Sequence, residues 1–477
     1  MSILLPIILV CLYALVCLLF GLRLLRLAAP NLSYTSAENW LIVVSTAFLL
    51  GQAVLAAVWK LIALVGMFSQ PIVIGLGIVA ALSGINLILP LVRSLPPLVI
   101  SMTRSFLSET VLWKVTILLA LVPVIVYAIY TYMSPEPFGD GMAFYMAYSQ
   151  LIAATGDLSI APPLFVDFLR VGLQGELHFA VPLLFADILA PELFAWISSL
   201  AGVGVLMAFG DLLGMKARGK WILLAMAFSS SAFTVLLWDG KVDIFGAVIG
   251  LGAYYWAFQV TDDRGTAIRL SGLFTGFAII AKISYAVFLP LSVVLIIVWR
   301  LYMAHSDDMV MRRFLPTMAR VGLVLAFWGA LPAIPHVIKN TVLFSEPLAP
   351  VIAANSESFV EQSWFTEDTT NRITVSYPFA LTFGSFWAQG GNITPLFLMF
   401  IPLLFLLQLP DASHQDLIRQ IILIALIAIG LWIFFRASVF ALRYMFSPLL
   451  LFFIPLALAA ERVSQHHPNQ RLRSLLP

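Results

Sequence analysis

The residues with chemistry in them stand out, because 61% of the 477 residues are apolar and only 10% are charged. Asp140 lies between two glycines in "PEPFGDGMAFYMAYSQ", and Asp239, Lys241 and Asp243 crowd the short "LWDGKVDIFG". Lys282 interrupts the apolar "GFAIIAKISYAVFLP", where a lysine is costly enough to be read by default as functional. His336, Lys339 and Asn340 close another apolar run, and Arg436, Arg443 and Tyr444 precede the last one. Several cations beside one or two carboxylates suit an anionic headgroup such as a phosphate, with a carboxylate acting as base on a second substrate.

Each of these residues also has a plainer use. Asp is a preferred helix N-cap, so Asp140 fits the head of a helix over 141–154 as well as it fits a general base. Lys282 reaches the interface by snorkelling if its stem lies near a helix end. Asp243 pairs as readily with Lys241 as with a ligand. Along 141–154, Phe144, Ala147 and Leu151 recur on the Asp140 face at helical spacing. Tyr145 and Tyr148 form a neighbouring stripe that suits an interfacial helix.

The elements that must position these groups are apolar helices. A soluble surface needs far more charge than this chain has, so most of its surface must face lipid. Runs near the length of a spanning helix, about 20 mostly apolar residues, occur at 4–22, 40–58, 72–91, 115–130, 193–213, 221–238 and 244–258. Further runs lie at 322–338, 395–407, 417–435 and 445–460. The stretch 272–299 is too long for one straight span and divides near 281–284. The expected fold class is therefore an all-α polytopic membrane protein with about thirteen spans, in a range of eleven to fourteen.

Basic residues gather in alternate connections. Arg23, Arg26, Arg93, Arg104, Lys114, Lys216, Arg218, Lys220, Arg264 and Arg269 fall on one side. So do Arg300, Arg312, Arg313, Arg320, Arg419, Arg462, Arg471 and Arg473, which makes 18 of the 26 lysines and arginines. The positive-inside rule assigns that side to the cytoplasm, with the N-terminus outside and the C-terminus inside. The two longest polar connections, 134–178 and 339–390, then face outward. The first apolar run lacks a basic leader and a small-residue cleavage site, so it reads as a retained helix.

Several functions are disfavoured. The formal net charge of +2 offers no electrostatic case for a nucleic-acid partner. There is no P-loop, no His-Glu-x-x-His and no dinucleotide-binding glycine pattern. Cys11 and Cys17 share one apolar run and form neither a disulfide framework nor a zinc site. No cluster calls for a metal or another cofactor.

Read in order, Asp140, Tyr145, Ala147, Gly156 and Asp157 form one pattern, followed by Gly175, His178, Pro182 and Leu183 in "GELHFAVPLLFADIL". Asp243 enters a helix in "WDGKVDIFGAVIGLG", and Lys282 ends a glycine-rich one before a proline. "HVIKNTVLFSEPLAP" and "LRYMFSPLLLF" close the series. Over residues 111 to 460 this resembles the GT-C fold glycosyltransferases, polytopic enzymes that take sugars from polyprenyl-phosphate carriers. The nearest branch is that of the protein mannosyltransferases and aminoarabinose transferases. The chain departs from it in three places: Val181-Pro182-Leu183 replaces a Lys-Pro-Pro-Leu element, Lys339 stands where the family has Arg, and Ser345-Glu346-Pro347 replaces Gly-Asn-Pro.

The resemblance implies an inverting sugar transfer, on the outer face of the inner (plasma) membrane, to a lipid, glycan or protein acceptor. It implies Asp140 as the base, with Lys241, Lys282, His336, Lys339 or Arg443 at the donor phosphate. Asp243, Tyr145, His178 and Tyr444 would contact substrate, and neither metal nor cofactor is required. The expected organisation is a three-helix extension over 1–110, which lies outside the resemblance, then a GT-C-like core over 111–338, an outer loop over 339–390 and C-terminal helices with a short cytoplasmic tail over 391–477. That loop, with Trp364, Glu367, Asp368 and Arg372, is expected to cover the site. Two other classes fit the same residues: a secondary transporter or flippase, and a catalytically silent scaffold.

Overall fold

The computed structural model describes residues 4–30, 32, 39–133, 141–161, 163–185, 190–261, 265–304, 311–349, 393–406, 412–435 and 442–466. Asp140, Arg436 and residues 350–390 of the long connection, with Trp364, Glu367, Asp368 and Arg372, lie outside these residues. Among the described residues every regular element is helical. The chain opens with α1 (Leu4–Ala28), α2 (Trp40–Leu64), α3 (Gln70–Ser108) and α4 (Val111–Met133). Two short helices follow, α5 (Met146–Thr155) and α6 (Gln174–Leu183). The centre comprises α7 (Ala190–Leu212), α8 (Ala217–Ser229), α9 (Ser231–Trp238), α10 (Asp243–Phe258), α11 (Thr266–Ala281) and α12 (Leu289–Ala304). After these come α13 (Met311–Ala330), α14 (Ile334–Phe344), α15 (Pro395–Phe400), α16 (Ala412–Phe435) and α17 (Phe446–His466).

The protein is a multi-pass α-helical membrane protein. Among the described residues, eight helices are long and apolar enough to cross a bilayer, with α13 and α14 counted together, and nine if the pair α8 and α9, bent by 62°, is one span. Each of the thirteen apolar runs coincides with a helix or a helix pair. Among them, α10, α11 and α12 have only 16 residues each and α15 has 6, short of the about 20 that a straight crossing needs. The expected break in 272–299 is present: α11 stops at Ala281, a 3₁₀ turn spans Ile283–Val287, and α12 begins at Leu289.

Packing divides the helices into an inner and an outer set. All sixteen residues of α10 are buried, as is most of α17. By contrast α3, α4 and the α13–α14 pair turn most of their surface outward, with Ile74, Ile78, Leu82, Ile85 and Leu89 of α3 about half exposed. Exposed aliphatic faces of this kind are what lipid contact requires. The inner helix α10 takes its neighbours closely because of small residues. Gly246 lies against Lys282 and Tyr285, and Gly250 against Ser447 and Tyr285. With no side chains there, the 281–288 break and the start of α17 sit down on the α10 backbone.

The first two helices, α1 and α2, pack against this inner set. The two contact each other and both contact α7, while α2 also meets α6. Tyr13 of α1 accepts the Trp59 indole N–H of α2 at 3.1 Å. At the other end, Glu461 of α17 accepts the backbone N–H groups of Lys216 and Gly219 at 3.0 Å each, satisfying donors at the head of α8.

Candidate functional site

A charged centre forms where the α9–α10 turn, the α11–α12 break and the turn before α17 meet. Asp243 is the first residue of α10, fully buried, and its carboxylate makes no helix cap. It pairs instead with Lys282, Nζ to Oδ1 at 2.8 Å. The break at 281–288 brings this about, because Lys282 leaves the helix with extended backbone and crosses to α10 over Gly246. Lys241 pairs with Asp239 at 2.7 Å, so the two aspartates of the turn take separate partners. Asp239 Oδ1 also accepts the Lys241 backbone N–H at 3.0 Å, which sets the turn's shape. Burial lifts the Asp239 carboxyl above its ordinary range despite the pull of Lys241.

Two tyrosines flank the lysine. Lys282 Nζ donates to the Tyr145 hydroxyl at 3.4 Å and sits 4.6 Å from the Tyr444 ring centroid. Arg443 extends the set: it donates to the Tyr444 hydroxyl at 3.2 Å and acts electrostatically on Asp243. Tyr444 is held in turn by stacking on Trp432 of α16, centroids 5.9 Å apart. The structure therefore brings together Tyr145, Lys241, Asp243, Lys282, Arg443 and Tyr444. Three cations face two carboxylates, with two phenols between them. An anionic group is the complement of such a surface.

Tyr145 reaches this centre from the segment that leads into α5. Residues Gly141–Tyr145 form a π-type turn that runs straight into α5. Tyr145 and Tyr148 are 9% and 0% exposed, which corrects the expectation of an interfacial stripe. Phe144 and Tyr148 stack at 5.6 Å, and α5 packs against α6. Gly156 ends α5 in the left-handed region at φ +73°, pressed against the Phe68 carbonyl. Asp157 bonds the Ser159 N–H at 2.7 Å, so the Gly-Asp turn is an Asx turn with a structural use.

Four residues nominated by sequence lie in other environments. His178 of α6 is enclosed by Tyr13, Phe194 and Phe245, and its Nδ1 meets the Tyr13 hydroxyl at 2.8 Å. Burial drops its imidazole to about 3. Lys339 donates to the carbonyls of Leu169 and Val171, and Asn340 to those of Arg170 and Ala349. His336 Nε2 meets the Ala349 carbonyl at 3.0 Å. These side chains of α14 clasp main chain and do not join the Lys282 centre.

Sequence reasoning passed over several buried polar groups. Lys60 of α2 is 1% exposed and Glu176 of α6 is 2% exposed. Lys282, Lys60 and Lys339 all act electrostatically on Glu176, yet burial outweighs them and lifts its carboxyl from 4.5 to about 7. Glu192, in the first turn of α7, is buried and faces Asp239 and the Gly240 backbone of the α9–α10 turn. Gln174 is 2% exposed, and both its amide atoms are unpartnered. Lys60 had a signal, since an ionisable residue inside an apolar run marks itself. Gln174 and Glu176 had none, because they sit in a short stretch of mixed composition.

Fold and site together define a class: a polytopic helical membrane protein with a buried, mixed-charge centre ringed by tyrosines. Comparison with family models, with curated proteins and with solved structures returns no match for the chain.

Proposed function

We propose that the protein is a GT-C-type membrane glycosyltransferase. It would move a sugar from a polyprenyl-phosphate carrier to a lipid, glycan or protein acceptor. One observation carries this reading. Lys282, Arg443 and Lys241 converge with Asp243, Tyr145 and Tyr444 directly beside the helical segment that Asp140 precedes. Cations at a leaving phosphate, a carboxylate at an attacking hydroxyl and aromatic faces for a sugar are the three requirements of such a transfer.

In this scheme the carrier phosphate meets Lys282 and Arg443, and Asp243 keeps both cations in position. Asp140 takes the proton of the acceptor hydroxyl as its oxygen attacks the anomeric carbon. The bond from that carbon to the phosphate oxygen breaks, and the phosphate leaves with the electron pair, stabilised by the cations. Attack from the face opposite the leaving group inverts the anomeric configuration. Lys339 and His336 act in holding the main chain rather than at the phosphate. The distribution of basic residues supports a reading in which this chemistry lies on the non-cytoplasmic face.

The test is Asp140→Asn in the purified, lipid-loaded protein. Transfer is expected to fall by about 10²–10⁴-fold, while polyprenyl phosphate still co-purifies and is detected by mass spectrometry. Lys282→Met should lose the carrier itself. Undiminished transfer by the Asp140 variant would remove the base from the scheme. A protein that carries and binds no polyprenyl phosphate would end the reading altogether, as a transporter of another solute or a scaffold would predict.

A further inference from the structure

The segment 169–176, which runs from the end of the 3₁₀ turn Pro163–Arg170 into the first turn of α6, is pinned from both sides. From one side, Lys339 and Asn340 of α14 hold its carbonyls at Leu169, Arg170 and Val171, and the Arg170 side chain pairs with Glu346 at 3.2 Å. On the other side are its glycines. A Cβ on Gly172 would overlap the Ile280 carbonyl, and one on Gly175 would overlap Val242 and Phe245. Ile280 precedes Lys282 by two residues, and Val242 immediately precedes Asp243. The strap therefore lies along the Lys282–Asp243 ion pair, touching the chain just ahead of each partner.

Between the two glycines stand Leu173, a non-glycine residue at φ 55°, and Gln174. Backbone strain of this kind persists only where the surroundings dictate it. What the strap holds there is an amide with neither its oxygen nor its nitrogen bonded, on a side chain 2% exposed. A buried amide left unpaired is a standing cost to the fold. An amide offers a donor and an acceptor a short distance apart, which neighbouring hydroxyls satisfy together, whereas a phosphate, which only accepts, leaves the amide oxygen unpaired.

We infer that the strap 169–176 is the element that reads the hydroxyl-bearing group of the ligand, with Gln174 as its contact beside the Lys282–Asp243 pair. This rests on the glycosyltransferase reading and adds a division of labour to it. The cations hold the phosphate, and a neutral amide on a separate, pinned element distinguishes a carrier that bears a sugar from one that does not. Gln174 is thereby a specificity residue, and Lys339 and Asn340 are positioning residues acting through the strap.

The test uses two probes on the full-length protein in detergent, undecaprenyl phosphate and undecaprenyl-phosphoryl-hexose, with affinities from native mass spectrometry. The wild type is expected to bind the hexose-bearing probe about tenfold tighter, the amount one good polar contact supplies. Gln174→Met, close in shape but without the amide, should lose that advantage and bind the bare phosphate as before. If Gln174→Met keeps the advantage, or weakens both probes equally, the inference fails while the reading stands. If the wild type binds neither probe, the reading fails and takes the inference with it. Melting without added lipid gives an independent check. Removing an orphaned amide should raise the midpoint by about 1–2 °C, whereas a lower midpoint would show a structural amide and overturn the inference.

Discussion

Lys282 and Lys339 are both lysines set among apolar helices, and their ammonium groups meet different partners. Lys282 faces Asp243, a phenol and an aromatic ring, with its side chain 13% exposed. Lys339 is fully buried and donates to two main-chain carbonyls. A carbonyl is a fixed part of the backbone and is not released to make way for a ligand. A carboxylate, by contrast, holds a cation and leaves some of its donors open to an anion. The first arrangement builds a strut, and the second builds a site.

The strut should show the larger loss. Lys339→Met strands the Leu169 and Val171 carbonyls away from water, and we expect a stability loss of about 3–5 kcal/mol, read by denaturation in detergent. Lys282→Met should cost about 3 kcal/mol, since it leaves Asp243 buried and unpaired, and the double variant with Asp243→Asn should recover most of that loss. The double variant would then be folded and unable to retain a lipid phosphate. If Lys339→Met proved the milder change, or the double variant added the two single losses, the distinction between strut and site would collapse.

The two regions were not equally legible in the sequence. Lys282, Asp243, Arg443, Tyr444 and Tyr145 could be named because each interrupts apolar sequence or flanks a helix end, and the structure brings all five together. The break after Ala281 was readable from the run length and from Lys282 interrupting the run. The pairing was not: Asp243 has Lys241 two residues away and still takes Lys282, because Asp239 claims Lys241 within the turn. Nor could spacing separate Lys339 from the other cations. Its partners are carbonyls 170 and 168 residues distant, and backbone acceptors carry no mark in a sequence. The first helices had no assignable role, since the groups they support, His178 and Glu176, become visible only once α1 and α2 lie on α6.

Glu176 gives a pH signature to the boundary between the two regions. Burial lifts its carboxyl from 4.5 to about 7, so across that window the folded protein holds a proton that the unfolded chain has released. Stability is then full below about 4.5 and declines as pH rises through about 7. Between pH 5 and pH 8 the loss should reach about 2 kcal/mol. Glu176→Gln should flatten that decline and be the more stable form at pH 8. A wild type whose stability rose over this range would place the charge of Glu176 in a favourable ion pair, and the boundary would belong to the ionic centre.

The smallest expected effect concerns how Tyr444 serves the site. Its ring lies under the Lys282 ammonium and stacks on Trp432, while its hydroxyl accepts from Arg443. Tyr444→Phe keeps the ring and removes one bond, so stability should change by about 1 kcal/mol or less and lipid-phosphate binding by no more than a few-fold. Tyr444→Leu removes the cation–π contact and the stacking as well, which adds about 1–2 kcal/mol and should weaken phosphate binding further. Equal losses from the two variants would make the hydroxyl the working part. Arg443 would then be oriented by that single bond, and the aromatic wall around Lys282 would be packing alone.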